Sequence, residues 1–306
     1  MLWVVTYHYI RDFRSTPYPK IKGLDNKAFE SQLDYLRGRY EMASLESALA
    51  FLEGSYSPSK DLCLLTFDDG LREHHDFVAP LLRRHGIQGV FALITRCAEG
   101  SWVATAHKNH YLMASLSLDV YRTSYESSLR DRIGRLPDPV SRQTLETTYR
   151  WDDLETAKLK YLINFQTSAH LRDDILSQLL AETLGSEEDL ARELYLDFDE
   201  ACAMQDSGML IAGHSHTHPA LSALGDGQHE EVGNCAVRLR SECRAQEIWP
   251  FVYPFGKTDS FDAQSIRALR AHGFNCAFST VSGSNSVEDD LFRLHRIDTN
   301  EVQGLL

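Results

Sequence analysis

Two apolar runs, far apart in the chain, each end in side chains that are costly at the end of a buried strand. Leu62-Cys63-Leu64-Leu65 passes through Thr66-Phe67 into Asp68-Asp69-Gly70, and Met209-Leu210-Ile211-Ala212-Gly213 passes into His214-Ser215-His216-Thr217-His218-Pro219. Short continuous apolar runs read as strands buried on both faces, and two charges at such an end are expensive unless used. Together the two strand ends make a metal site. Imidazole nitrogen and carboxylate oxygen are the ligands a catalytic divalent ion takes, with one position left for water. His214 and His218 are four residues apart, so one helical turn or a tight loop aims both at one ion, with Asp69 as third ligand. Neighbours in an extended chain point to opposite sides, which divides Asp68 and Asp69 into a proton acceptor and a metal ligand. A base beside a metal suggests hydrolysis. Taken alone, Asp-Asp-Gly after a strand also reads as a solvated turn with glycine at positive φ; three histidines within five residues are harder to explain without an ion.

The remaining pattern alternates strand and helix. Strands are expected over 4–8, 62–67, 89–95, 248–253 and 275–280, and helices over 26–37, 45–52, 77–85, 230–246 and 262–272. This alternation argues for a parallel sheet, with chemistry at the C-terminal strand ends, where Asp68, Asp69 and His214 fall. Between Thr95 and Asp197 lies far more chain than a short connection needs, with helical patterns over 111–118, 124–133, 156–162, 173–184 and 187–195. We read residues 98–196 as a helical insertion within one barrel domain spanning 1–306. It is either a lid or dimerisation surface, through which the protein forms a homo-oligomer, or passive decoration. Its His107 and His110 read as helix-surface residues and stay outside the site.

The motifs resemble those of the NodB-type polysaccharide deacetylases, carbohydrate esterase family four. The first motif of that family is similar to Thr66-Phe67-Asp68-Asp69-Gly70, and the second, His-Ser/Thr-x-x-His, is met by His214-Ser215-His216-Thr217-His218. Phe251-Val252-Tyr253-Pro254-Phe255-Gly256 is similar to the Tyr-Pro-Phe/Tyr-Gly segment of an exopolysaccharide branch. The likeness runs from about Val4 to the Arg293-Leu294-His295-Arg296-Ile297-Asp298 segment, apart from the insertion. It implies an α/β fold, the distorted, incomplete (β/α) barrel of the polysaccharide deacetylases carrying a helical insertion. It also implies metal-dependent removal of an N-acetyl group from an amino sugar or glycan precursor. Asp68 would then be the base and Asp69, His214 and His218 the ligands of one divalent ion, zinc first and cobalt or nickel as alternatives. Tyr253, Pro254 and Phe255 would face substrate or oxyanion, and His295 would be the acid. Two departures stand out. The Arg that orients the base in many members is replaced by Val252, so either another positively charged or polar group orients Asp68 or nothing does. The acidic-residue-and-Trp motif has no clear counterpart near residues 278–283.

Composition narrows the partners. The chain has 306 residues, 43% hydrophobic and 25% charged, as in a soluble globular protein. A net charge of -13 excludes a nucleic-acid-binding surface, which needs a Lys/Arg excess. No run of about 18 apolar residues occurs, so no membrane span is expected. Residues 1–7 enter a strand-like run without a basic or cleavage segment, which predicts a cytoplasmic location. The six scattered cysteines read as reduced thiols. Two other readings stay open: a His-x-His phosphoesterase built on His214 and His216, and a non-catalytic carbohydrate-binding relative.

Overall fold

The computed structural model describes residues 1–149 and 152–302. Its chain divides into two compact units, one of Met1–Ser15, Lys22–Trp102 and Ala191–Leu306, the other of Thr16–Ile21 and Val103–Leu190.

The first unit is a curled, all-parallel sheet wrapped by helices, an incomplete (β/α) barrel as the motifs imply. Its strands are β1 (Leu2–Tyr7), β2 (Glu41–Met42), β3 (Leu62–Phe67), β4 (Gly89–Leu93), β5 (Leu210–Gly213), β6 (Pro250–Val252), β7 (Cys276–Phe278) and β8 (Ile297–Asp298). They lie in the order β7-β6-β5-β4-β3-β1-β8, with β2 paired to the first residues of β3 beside β4. The two edges meet along a narrow seam. Leu294 forms a parallel bridge to Phe278 at the end of β7, and three residues later Ile297 pairs with Val5 of β1.

Period-two alternation sorts the strand residues into two layers. Odd-numbered positions such as Val5, Leu65, Phe91, Ile211 and Phe251 pack outward against Phe29 and Leu33 of helix Asn26–Arg39 and Leu239 of helix Gln228–Glu242. Even-numbered positions fill the interior: Val4, Leu64, Ala92, Ala212, Val252, Phe278 and Leu294, with Leu45 and Leu49 of helix Leu45–Leu52 in the same cluster. The inward face continues upward through Thr6, Thr66, Asp68, His214 and Arg296, all buried. The barrel interior is thus apolar at its base and polar at the C-terminal ends of its strands, and this layering sets the depth of the site.

Among the elements that differ from the sequence expectation, two lie close to the site. A helix over Phe198–Asp206 follows a capping box in which Asp197 and Glu200 satisfy each other's main-chain N–H groups. The helix expected over 77–85 begins earlier, as a π-helical turn His74–Val78 that runs into Ala79–Arg84. The second unit is helical, with a core of Leu112, Tyr121, Tyr125, Leu159, Ile163 and Leu176. Inside it the fully buried Lys108 ammonium meets Asp173 at 2.8 Å and Glu187 at 2.9 Å. Among the described residues no helix is long and apolar enough to cross a membrane.

One buried side chain sutures the seam. Asn285 bridges Leu2 through its main chain, accepts the His295 N–H at 2.8 Å and donates to the His295 carbonyl at 3.0 Å. Asn285→Ala removes two hydrogen bonds from partly buried main-chain groups of His295, at about 1 kcal/mol each. Thermal unfolding is expected to fall by several degrees with the metal site intact. An unchanged midpoint would show that the seam does not depend on this residue.

Candidate active site

Asp68 carries β3 one residue past its last pair, its N–H donating to the Tyr7 carbonyl at 2.8 Å. The backbone then turns left-handed at Asp69 (φ 78°) and Gly70 (φ 65°), which takes the Asp69 carboxylate out of the strand alternation. His214 extends β5 in the same way by donating to the Leu93 carbonyl at 2.9 Å. Its Nδ1 donates to the Val252 carbonyl at 2.8 Å, so Nε2 is the bare nitrogen.

The loop behind it is held in strained conformations, with Ser215 at φ 62° and His218 at φ 60°. Ser215 Oγ accepts the His218 N–H at 2.9 Å. The Glu231 carboxylate accepts the N–H groups of His216 and Thr217 and the Thr217 hydroxyl. Strain at a turn persists only when the surroundings over-determine it, and these bonds do so.

Three donor atoms converge as a result. Asp69 Oδ1 lies 3.4 Å from His214 Nε2 and 3.5 Å from His218 Nε2, and the two nitrogens are 3.2 Å apart. A tetrahedral ion with bonds of about 2.0–2.1 Å needs donors separated by about 3.3 Å. Two imidazole nitrogens and a carboxylate oxygen at that spacing fit a zinc-type ion, and these residues form a group able to hold one. The electrostatics agree. Burial disfavours an imidazolium at His214, yet the Asp69 and Asp68 carboxylates outweigh it and raise the affinity of Nε2 for a proton, so the centre draws positive charge.

Asp68 faces a different partner. The fully buried Arg296 guanidinium grips it with two parallel bonds, Nη1 to Oδ1 at 2.7 Å and Nη2 to Oδ2 at 2.8 Å. Nε of Arg296 donates to the Ser279 carbonyl at 2.7 Å and Nη1 also to Thr66 Oγ1 at 3.1 Å. Burial pushes the Asp68 carboxyl up, but the Arg296 charge and its hydrogen bonds, with His8 adding to them, prevail and hold it at about 2. Arg296 therefore supplies the cation that position 252 lacks. The sequence carried a signal for it: Leu294 and Arg296 share the inward parity that the structure shows, and an arginine on that face needs a buried acid.

The structure separates the other expected residues. The His295 ring points away from its neighbour Arg296; a Cβ added at Gly283 would lie 2.8 Å from its Nδ1. His8, one residue past β1, places Nε2 3.7 Å from Asp68 Oδ2 with its side chain 45% exposed. In the sequence His8 shows only as the end of the first strand. His216 turns away from the ligand triangle to Thr95 Oγ1 at 3.0 Å, which splits the pair that a His-x-His phosphoesterase requires. Tyr253 is buried, stacked on Phe261 at 3.9 Å, with its hydroxyl donating to the Phe292 carbonyl; it packs the core. Phe255 is 51% exposed in a left-handed conformation (φ 61°), its ring 5.1 Å from that of His218.

This fold, with carboxylates and histidines at the C-terminal rim of an incomplete barrel, is that of the polysaccharide deacetylases. No family model matches the chain. It is 23% identical over 234 residues, covering 74% of this chain and 75% of the relative, to a Bacillus subtilis protein provisionally named polysaccharide deacetylase YxkH. Among solved structures it is similar to the Streptococcus pyogenes deacetylase PplD, with a TM-score of 0.59, 16% identity, and 97% and 91% of the two chains covered. It is also similar to IcaB from Ammonifex degensii, with a TM-score of 0.56, 16% identity, and 99% and 94% covered. The resemblance read from the motifs is thereby borne out.

The Asp68–Arg296 pair makes a signed prediction. The folded carboxyl lies at about 2, below its ordinary 3.8, so the pair's stabilisation is complete above about pH 5. It fades as pH falls through the ordinary value towards 2, a loss of about 2 kcal/mol. In Arg296→Met, burial is opposed only by the remaining pulls of His8 and His214, so the carboxyl rises and the acid-sensitive stabilisation contributed by Asp68 shrinks. Urea unfolding of chelator-treated wild type and variant between pH 3 and 7 should show stability curves that converge on acidification. Parallel curves would mean that Arg296 does not set the charge of Asp68.

Proposed function

We propose that this chain is a metal-dependent hydrolase that removes the N-acetyl group from an amino sugar in a glycan or glycan precursor. The observation that carries the reading is the Asp69, His214 and His218 donor triangle standing beside a buried carboxylate that Arg296 keeps ionised. A divalent ion held by those three residues supplies Lewis-acid polarisation of a carbonyl and acidifies a water.

The chain's own groups then divide the work. Asp68 accepts the proton of the attacking water, its carboxylate aimed by two fixed bonds to Arg296. His8, half exposed at the rim and beside Asp68, donates a proton to the departing amine, in place of His295. In the 253–256 segment the Tyr253 N–H is committed to the Phe278 carbonyl and Pro254 has none, which leaves the Phe255 and Gly256 N–H groups as donors to a developing oxyanion. The exposed Phe255 ring offers a sugar a stacking face beside the reacting carbonyl.

PplD is named a deacetylase and YxkH is provisionally named a polysaccharide deacetylase, which supports this class of substrate. A non-catalytic reading loses its main motive once Arg296 takes the place of the missing arginine.

Purified protein loaded with zinc should release acetate from an oligomer of N-acetylglucosamine. Asp69→Ala, His214→Ala and His218→Ala should each lower metal affinity by at least about tenfold. Asp68→Asn should retain the ion and lose about a hundredfold or more in turnover. Stoichiometric metal in all three ligand variants, or full turnover in Asp68→Asn, overturns the assignment. Phe255→Ala should raise KM more than it lowers kcat, since stacking contributes about 1 kcal/mol, while its main-chain N–H remains.

A further inference from the structure

We propose that His74 is a positioning residue that fixes the main chain of His8 and so aims the His8 ring at the reacting groups; this rests on the reading of His8 as the acid. His74 is completely buried, and its Nε2 lies 2.9 Å from the His8 carbonyl oxygen. A carbonyl only accepts, so Nε2 carries the proton and Nδ1 is bare. Nδ1 is buried with no hydrogen-bond partner, and the ring lies among Phe67, with centroids 5.6 Å apart, and Phe91, at 5.9 Å. Burial pushes the imidazole below its ordinary value against the pull of Glu73 and Asp69, which leaves it neutral with one proton to donate.

For packing alone this is a poor choice. A leucine or phenylalanine would fill an aromatic niche without burying a polar atom that nothing satisfies. The single bond that the ring does make goes to the residue next to the catalytic carboxylate's rim.

The surrounding geometry explains why that bond matters. Beyond Tyr7 the chain leaves β1, and three successive carbonyls are each held from a different direction. Tyr7 accepts from the Asp68 N–H, His8 from His74, and Tyr9 from the Leu24 N–H at 2.9 Å. With the middle bond removed, the His8 peptide is free to rotate, and the Cβ direction of His8 rotates with it. The same short stretch is gripped again by Glu73, whose Oε1 accepts from Arg11 Nε at 2.9 Å and Nη2 at 2.6 Å. His74 also opens the π-helical turn His74–Val78. The wider π turn re-phases the helix by one residue, a distortion common at functional sites, and here its first side chain is the one that reaches His8.

The test is a double-mutant cycle on zinc-loaded enzyme, read as acetate release from an N-acetylglucosamine oligomer. His74→Leu should lower kcat by about tenfold to a hundredfold, the cost of a misplaced catalytic group, with KM and metal content near wild type. His74→Gln puts an N–H donor near the position of Nε2 and should recover most of the loss. In a His8→Ala background, His74→Leu should cost less than about twofold more, because its effect passes through a side chain already gone.

The outcomes separate the two claims. If His8→Ala abolishes the basic limb of the rate–pH profile but His74→Leu lowers kcat by the same factor with or without it, His74 does not act through His8 and the positioning role falls alone. If His8→Ala keeps wild-type kcat and its basic limb, the acid reading falls and takes this role with it. A glutamine variant no better than the leucine variant also overturns the proposal. Independently of turnover, histidine nitrogen NMR of the zinc-loaded protein should show His74 as the singly protonated Nε2–H tautomer; an Nδ1–H or doubly protonated ring contradicts the bond to His8.

Discussion

A carboxylate and a guanidinium buried together at the top of a barrel hold this architecture to one solution. Asp68 and Arg296 are separated by 228 positions in sequence, yet two parallel hydrogen bonds join them where neither has access to water. Stranding either one would leave an uncompensated buried charge, at about 3–5 kcal/mol, so β3 and the strip that includes β8 must arrive in register with each other. Arg296 also reaches Ser279 past the end of β7, so one side chain spans the seam that the sheet leaves incompletely paired. The residue that closes the barrel and the residue that keeps Asp68 ionised are the same.

The metal-ligand side of the site obeys a different economy of order. Its two histidines sit on a loop that is unfavourable by itself, with left-handed backbone at Ser215 and His218. Local hydrogen bonds keep it in place: Ser215 to the His218 N–H within the loop, and Glu231 reaching in from helix Gln228–Glu242. The three donors thus converge without an ion to gather them, an arrangement that limits reorganisation at any site that binds one. Asp68 is kept apart from that triangle by the left-handed turn at Asp69, so adjacent carboxylates in sequence end up with different partners.

Much of this was legible in the chain. The strand ends at Asp68 and His214 announce themselves because an apolar run stops at ligand-type side chains, and both lie where a parallel sheet exposes its chemistry. The helical character of the region after Thr95 was equally readable from its spacing. Other elements hid for identifiable reasons. The π turn at His74–Val78 leaves no periodic signature over five residues. The seam strand β8 has only two residues, too few to show alternation, so the inward parity of Arg296 emerges only once the strand is placed in the sheet. Tyr253 and Phe255 looked equivalent as aromatics two apart, but alternation and a left-handed turn buried the first and exposed the second.

By itself the sequence determined the donor types, their order along the chain and the strand ends that carry them, because each of these is written in a few contiguous residues whose burial pattern and chemistry are local. Only the tertiary structure decided which arginine meets Asp68, which histidine stands beside it, and which of three clustered histidines leaves the site for Thr95. Those choices depend on inward parity carried around a closed curl of strands and on backbone turns at Asp69, Ser215 and His218. Contacts between residues hundreds of positions apart are set by how the whole sheet closes, and no short stretch of sequence contains that information.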